Sequence, residues 1–112
     1  MPRWASPLGL VLSLLLAPGA LAEDPAKDVA EARKAELSYL VRQDCGSCHG
    51  MTLKGGLGKA LLPDDLAHLD TESLTAIILD GIPGKPMPPW RNLIRENEAR
   101  WIADALKQGW IK

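Results

Sequence analysis

An all-α fold is the class this sequence predicts. Apolar residues recur at the helical interval of three and four in three separate stretches, around Leu37–Val41, Leu74–Ile78 and Trp101–Leu106. No stretch alternates apolar and polar residues as a half-buried strand would. Glycine and proline fall between the periodic stretches, not inside them. With 112 residues the chain suits one small domain. A net charge of −1 without a basic stripe gives no footing for a nucleic-acid partner.

Residues 1–22 are set apart from that domain. Arg3 gives a positive start, and Leu8–Ala17 (LGLVLSLLLA) is apolar but short for a bilayer span. Pro18 and Gly19 break the run, and Ala20-Leu21-Ala22 is a small-x-small cleavage pattern. This predicts a secretory signal peptide over 1–22, cleaved after Ala22, where the alternative is an uncleaved N-terminal anchor. The mature domain, residues 23–112, is then expected to be soluble and to work in an oxidising compartment. A domain of that size has a thin core and needs a staple.

Glu23–Ala26 is a polar lead-in with Pro25 near a helix start. Lys27–Gln43 holds good helix formers and no Gly or Pro. Its apolar stripe is Leu37, Leu40 and Val41, with Tyr39 lying off it. The stripe ends at Cys45-Gly46-Ser47-Cys48-His49, the C-x-x-C-H spacing that fixes a haem to a chain. In one helical turn, positions i and i+3 share a face, so Cys45 and Cys48 can both reach the vinyl groups of one porphyrin. His49 can then place its imidazole under the iron. These are the only two cysteines, so one covalent haem c per chain is expected. Phe is absent and Tyr39 is the single tyrosine, so haem would be the main aromatic mass.

Two other readings of the motif are weaker. Zinc requires four ligands. Cys45, Cys48, His49 and His68 supply the number, but the adjacent Cys48 and His49 fit poorly into one small tetrahedron. A thioredoxin-like pair would follow a strand in an α/β pattern, which is absent.

Met51–Gly58, with Gly55, Gly56 and Gly58, is a loop. Either it lets backbone approach a flat, bulky group or it is an ordinary surface turn. Leu61–Asp65 reads as a turn or short helix. Asp70 or Thr71 can cap a helix over Glu72–Asp80 with Leu74, Ile77 and Ile78 inward, ended by Gly81. Ile82–Trp90 (IPGKPMPPW) holds four prolines and can be neither helix nor inner strand. The last helix starts at Arg95 or Glu96 and ends at Gln108, before Gly109. Ile94, Trp101, Ile102, Ala105 and Leu106 form its apolar side.

The second axial ligand of the iron must come from Met51, Met87 or His68, because Met1 leaves with the leader. Met51 is too near His49 to reach the opposite face. Met87 sits between Pro86 and Pro88-Pro89, which stiffen the segment and remove its N–H donors. Met87 is therefore the expected ligand, against the alternative that it fills the core. Paired with His49, a thioether raises the reduction potential relative to two histidines. His68, beside Asp64-Asp65, is read as a solvated surface histidine, against a second metal role. With both axial positions filled, the expectation is an electron carrier and not an enzyme. A peroxidase would need Met87 displaced and a distal pocket of His, Arg and acid, which is not evident.

Helix, C-x-x-C-H, proline-flanked Met and final helix together resemble a class I cytochrome c, in which the first and last helices cross. A closer likeness lies in LVRQDCGSCHGMTLKGGLG (Leu40–Gly58), ILDGIPGKPMPPW (Ile78–Trp90) and EARWIADAL (Glu98–Leu106). These segments resemble the small NirC-type cytochromes of denitrification gene clusters, which are related to the cytochrome c domain of the haem d1-containing nitrite reductase. Arg95 departs from the Ser or Thr usual there at the start of the last helix. The resemblance implies a periplasmic monohaem protein acting with cytochrome cd1 nitrite reductase, either donating electrons to it or assisting haem d1 maturation.

Charge follows the ligand segments. Arg42, Lys54 and Lys59 surround the motif and its loop, Lys85 and Arg91 flank Met87, and Ala60–Gly81 between them is acidic. Either these residues form a positive rim that guides an acidic partner or they are only solvated loops. Trp90 and Arg91 are candidates for hydrogen bonds to a haem propionate.

Overall fold

The computed structural model describes residues 28–111. The signal-peptide expectation for 1–22 lies outside them. Val29 is buried, Ala30 is extended, and α1 (Glu31–Leu40) starts after it, later than the composition suggests. Glu31 in the first turn complements the helix dipole. The helical backbone also does not stop at Gln43. It passes through a wide π turn, Val41–Cys45, into α2 (Gly46–His49). The Gly46 N–H bonds the Val41 carbonyl five residues back. That extra residue keeps Val41 fully buried beside Leu37 while carrying helical geometry into the cysteine motif.

The chain then loops to α3 (Pro63–Leu66), which opens on proline, a residue suited to a first helical turn. Asp70, not Thr71, caps α4 (Thr71–Asp80): its carboxylate accepts the Ser73 N–H at 2.6 Å. Gly81 ends α4 with φ 70°. Its inner face is Leu74, Thr75, Ile78 and Leu79, with Ile77 moved to the margin. α5 (Glu96–Gln108) ends at Gly109 in the left-handed conformation. Arg95 offers no side-chain acceptor at its start, and Glu98 instead turns back to accept the Arg95 N–H at 2.9 Å. No strand occurs among the described residues.

The core gathers Leu37 and Val41 from the first helix, Leu53 from the loop, Leu74, Ile78 and Leu79 from α4, and Trp101, Ile102 and Leu106 from α5. α4 and α5 share the broadest helix–helix contact. Polar ties fasten the other helices to α5. The Thr71 hydroxyl donates to Asp104 at 2.7 Å. Lys107 donates to the carbonyls of Leu66 and Leu69 at the end of α3. Arg33 on α1 pairs with the buried Glu98.

The Arg33 hydrogen bond lowers the Glu98 pKa against the opposing effect of burial, and the Arg95 N–H adds to it. A depressed carboxylate contributes stability above its unfolded pKa of about 4.3 and loses it as pH falls through the lower folded value. Glu98→Gln should therefore cost roughly 1–3 kcal/mol at neutral pH. In denaturant titrations that difference should shrink below about pH 4. A difference that stays constant from neutral pH to pH 3 would contradict the pairing.

Candidate haem-binding site

Both cysteines lie on one helical turn, with no disulfide between them. Cys45, in right-handed helical geometry (φ −65°, ψ −40°), immediately precedes α2, which contains Cys48 and His49. Cys45 is half-buried against the core and Cys48 is exposed. Burial, reinforced by the neighbouring Asp44 carboxylate, pushes the Cys45 thiol up to about 11.

The segment after the motif folds back on it. Gly50, at φ 91°, turns the chain where an added Cβ would lie 2.6 Å from the Gly55 carbonyl oxygen. The Gly55 N–H donates to the His49 carbonyl at 2.8 Å, and the Gly58 N–H donates to the Cys48 carbonyl at 2.7 Å. Those carbonyls end a helix and have no partner within it. Leu53 anchors the loop in the core. It is fully buried and is the only non-glycine residue with positive φ (60°) among the described residues. Its carbonyl accepts the Leu61 N–H at 2.9 Å, closing the loop.

This loop holds the histidine. His49 Nδ1 lies 2.7 Å from the Lys59 carbonyl oxygen. A carbonyl only accepts, so Nδ1 carries a proton, and the tautomer this selects has its lone pair on Nε2. The flat face of the ring lies on Gly58, where a Cβ would fall 2.7 Å from Nδ1 and Cε1. Of the two readings of the glycine loop, close backbone approach to a flat group holds, and the group is the imidazole itself.

Met87 comes from a separate segment and is half-buried. Its loop is fastened at both ends to the end of α4. The Ile82 N–H approaches the Met87 carbonyl at 3.4 Å, and the Trp90 N–H is shared between the Ile78 and Leu79 carbonyls at 3.1 and 3.0 Å. Gly81 packs on the Met87 backbone so closely that a Cβ would lie 2.6 Å from the Met87 carbonyl oxygen. Arg91 forks onto Asp80 at 2.7 and 2.8 Å. The Arg91 guanidinium thereby ties the loop to α4. Trp90 packs against the core.

Met51 and His68 are exposed. Among the described residues no three His, Cys, Asp or Glu side chains are grouped to hold a metal ion, so Cys45, Cys48, His49 and His68 do not assemble a zinc set. The residues present fit a covalently held haem: two thiols on one turn, then an imidazole whose Nε2 lone pair is fixed by the bond at Nδ1. Leu53 and the Lys59 carbonyl, both essential to that arrangement, carry no signal in the sequence.

The chain matches the family described as cytochrome C oxidase, cbb3-type, subunit III over residues 32–104. It is 52% identical over 96 residues to cytochrome c55X of Paracoccus denitrificans (strain Pd 1222), covering 86% of this chain and 89% of the relative. It is 47% identical over 107 residues to cytochrome c55X of Pseudomonas aeruginosa (strain PAO1), covering 93% and 87%. The solved c-type cytochrome NirC superposes with a TM-score of 0.73 at 48% identity, over 74% of this chain and 98% of that one. The dihydro-heme d1 dehydrogenase NirN in complex with DHE superposes at 0.59 with 33% identity, over 62% of this chain and 15% of that one. The chain thus belongs to the class I c-type cytochromes, a family of haem c-binding electron carriers, and is related to NirC and cytochrome c55X.

Proposed function

We propose that this protein is a periplasmic monohaem electron carrier that supplies single electrons to cytochrome cd1 nitrite reductase in denitrification. In this reading residues 1–22 direct export and are removed, and residues 23–112 form the cytochrome domain. Cys45 and Cys48 would hold one haem c through thioethers, and His49 and Met87 would bind its iron. The observation that carries it is the His49 Nδ1 contact with the Lys59 carbonyl at 2.7 Å, which directs Nε2 outward as a ligand. Haem bound here supplies a reversible one-electron change at iron.

The chain's own residues hold that site closed. Gly58 leaves room for the imidazole, and the Lys59 carbonyl fixes its proton. Pro86, Pro88 and Pro89 restrict the Met87 backbone, while Trp90 and Arg91 bind its loop to α4. If His49 and Met87 both bind the iron, the haem would offer one-electron exchange and leave no position for a substrate, which favours a carrier over an enzyme. A second reading, a haem d1 maturation factor, draws support from the likeness to NirN, named a dihydro-heme d1 dehydrogenase. Mixing the reduced protein with cytochrome cd1 nitrite reductase, and separately with haem d1, distinguishes the two. Rapid oxidation by the reductase supports the carrier. Binding of haem d1 without electron transfer supports the maturation factor.

Two substitutions test the ligands. Met87→Ala should abolish the absorption band of Met-ligated ferric haem and lower the potential by about 59 mV or more, a tenfold shift toward the ferric form. An unchanged spectrum rules Met87 out. Gly58→Ala forces either the ring or the Lys59 bond to give way, and should cost roughly 1–3 kcal/mol in denaturant unfolding. A variant with native stability and native potential would show that the ring is not confined by Gly58.

A further inference from the structure

Asp80 ends α4 and Arg91 follows the Met87 loop, so their forked bond closes that loop at its neck. Asp80 stands where a carboxylate is disfavoured. The last turn of a helix carries partial negative charge, and Asp80 adds to it. The Arg91 guanidinium offsets both charges. Exposed ion pairs are usually weak, but two parallel N–H bonds from one guanidinium to one carboxylate are the exception. Three backbone contacts lie beside the fork. The Ile78 and Leu79 carbonyls are left without partners by the helix end. The Trp90 N–H donates to both, and the Arg91 N–H donates to the Leu79 carbonyl at 3.1 Å.

Beyond that neck the loop is bonded only to itself. Among the described residues no hydrogen bond joins Ile82–Pro89 to another element. Its internal bonds run from the Ile82 N–H to the Met87 carbonyl, long at 3.4 Å, and from the Lys85 N–H to the Ile82 carbonyl at 3.0 Å. Pro83, Pro86, Pro88 and Pro89 have fixed φ and no N–H, so the segment is stiff between its ends. All of Ile82–Pro89 is exposed except Met87, which is half-buried. Around Gly84 there is open space, with no heavy atom within 4 Å of where a Cβ would lie. A stiff segment hydrogen-bonded only at its neck swings as one body about that neck, and Met87 swings with it.

We propose that Asp80 and Arg91 are positioning residues whose fork sets how often the Met87 loop swings open while the helices stay folded. Neither side chain is an iron ligand; each acts through the neck of the loop. For the loop to open, the fork and the Trp90 and Arg91 N–H bonds must release together. Removing the fork alone therefore raises the open fraction without abolishing the closed form. An open loop withdraws the Met87 sulfur and frees that side of the haem for a small nitrogen ligand. The apparent affinity of such a ligand scales with the open fraction. This inference rests on the reading of Met87 as an iron ligand, but not on any partner protein.

The test uses the haem-loaded ferric protein, with imidazole as the entering ligand. Imidazole nitrogen takes the place of the Met87 sulfur with no electron transferred, and loss of the Met-ligation band reports the exchange. Asp80→Asn and Arg91→Gln should each tighten apparent imidazole binding about fivefold. The double variant should do no more than either alone, because both act through one bond. Arg91→Lys keeps the charge but loses the fork, and should tighten binding about threefold. In denaturant the Met-ligation band of these variants should vanish earlier than in the wild type, while the far-UV helix signal keeps its wild-type midpoint. Amide hydrogen exchange should quicken about fivefold at Trp90 and Arg91 and stay unchanged at the buried Ile102 and Leu106. Wild-type imidazole affinity and wild-type exchange in Asp80→Asn would overturn the proposal. So would a helix signal that moves in step with the band, which would make the pair a support of the whole fold. An effect of Arg91→Gln that Asp80→Asn does not share would assign the guanidinium to another group and overturn it as well. If the wild-type protein shows no Met-ligation band, Met87 is not the ligand, and amide exchange at Trp90 and Arg91 alone decides on the fork.

Discussion

One hydrogen bond organises the site: the Lys59 carbonyl receiving the proton of His49 Nδ1. It fixes the tautomer of the neutral ring and its orientation, which is how an outer contact usually tunes a metal-binding histidine. The bond exists only because the chain reverses within ten residues of the histidine. That reversal needs Gly50 at positive φ, and Gly56 and Gly58 where a Cβ would strike Cys48 or the imidazole. Leu53 then draws the turn into the core at the cost of an unfavourable backbone conformation. Sequence identity, loop shape and ring chemistry are one coupled arrangement.

The remaining helices hold that arrangement at a fixed distance from the second loop. α5 is the spine. It packs along α4, and Glu98, Asp104 and Lys107 tie it to α1, α4 and the end of α3. The Met87 loop is hung from α4 by Trp90 and Arg91, and the cysteine turn is the direct continuation of α1. Both segments that carry candidate iron ligands are thus extensions of helices in the shared core. In so small a domain the bound group would also add apolar mass to that core.

Much of this was legible in the chain itself. The bounds of α5, the glycine stops at Gly81 and Gly109 and the C-x-x-C-H helical turn follow from periodicity and capping chemistry, while the shared core of Leu37 and Val41 with Trp101, Ile102 and Leu106 is what the resemblance to a class I cytochrome c implies. Four features were not. The π turn at Val41–Cys45 has no sequence signature, because helix propensity cannot distinguish a bond to the fourth residue from one to the fifth. Leu53 at φ 60° runs against its own propensity and is set by tertiary contact. The Lys59 role belongs to its carbonyl, so its side chain could not announce it. The Arg91 bond to Asp80 depends on how the Met87 loop folds back on α4. The misses are the positions where backbone groups or long-range pairs carry the role.

The site as described is a closed one, held by backbone and stiffened loops and suited to electron exchange without bond chemistry. Its central claim is that the Lys59 carbonyl dictates which His49 nitrogen is available. The most direct measurement is nitrogen NMR of the His49 ring in the haem-loaded, reduced protein. The account predicts a slowly exchanging proton on Nδ1, coupled through the hydrogen bond to the Lys59 carbonyl carbon. A proton found on Nε2, or an Nδ1 proton that exchanges freely with water, would contradict it.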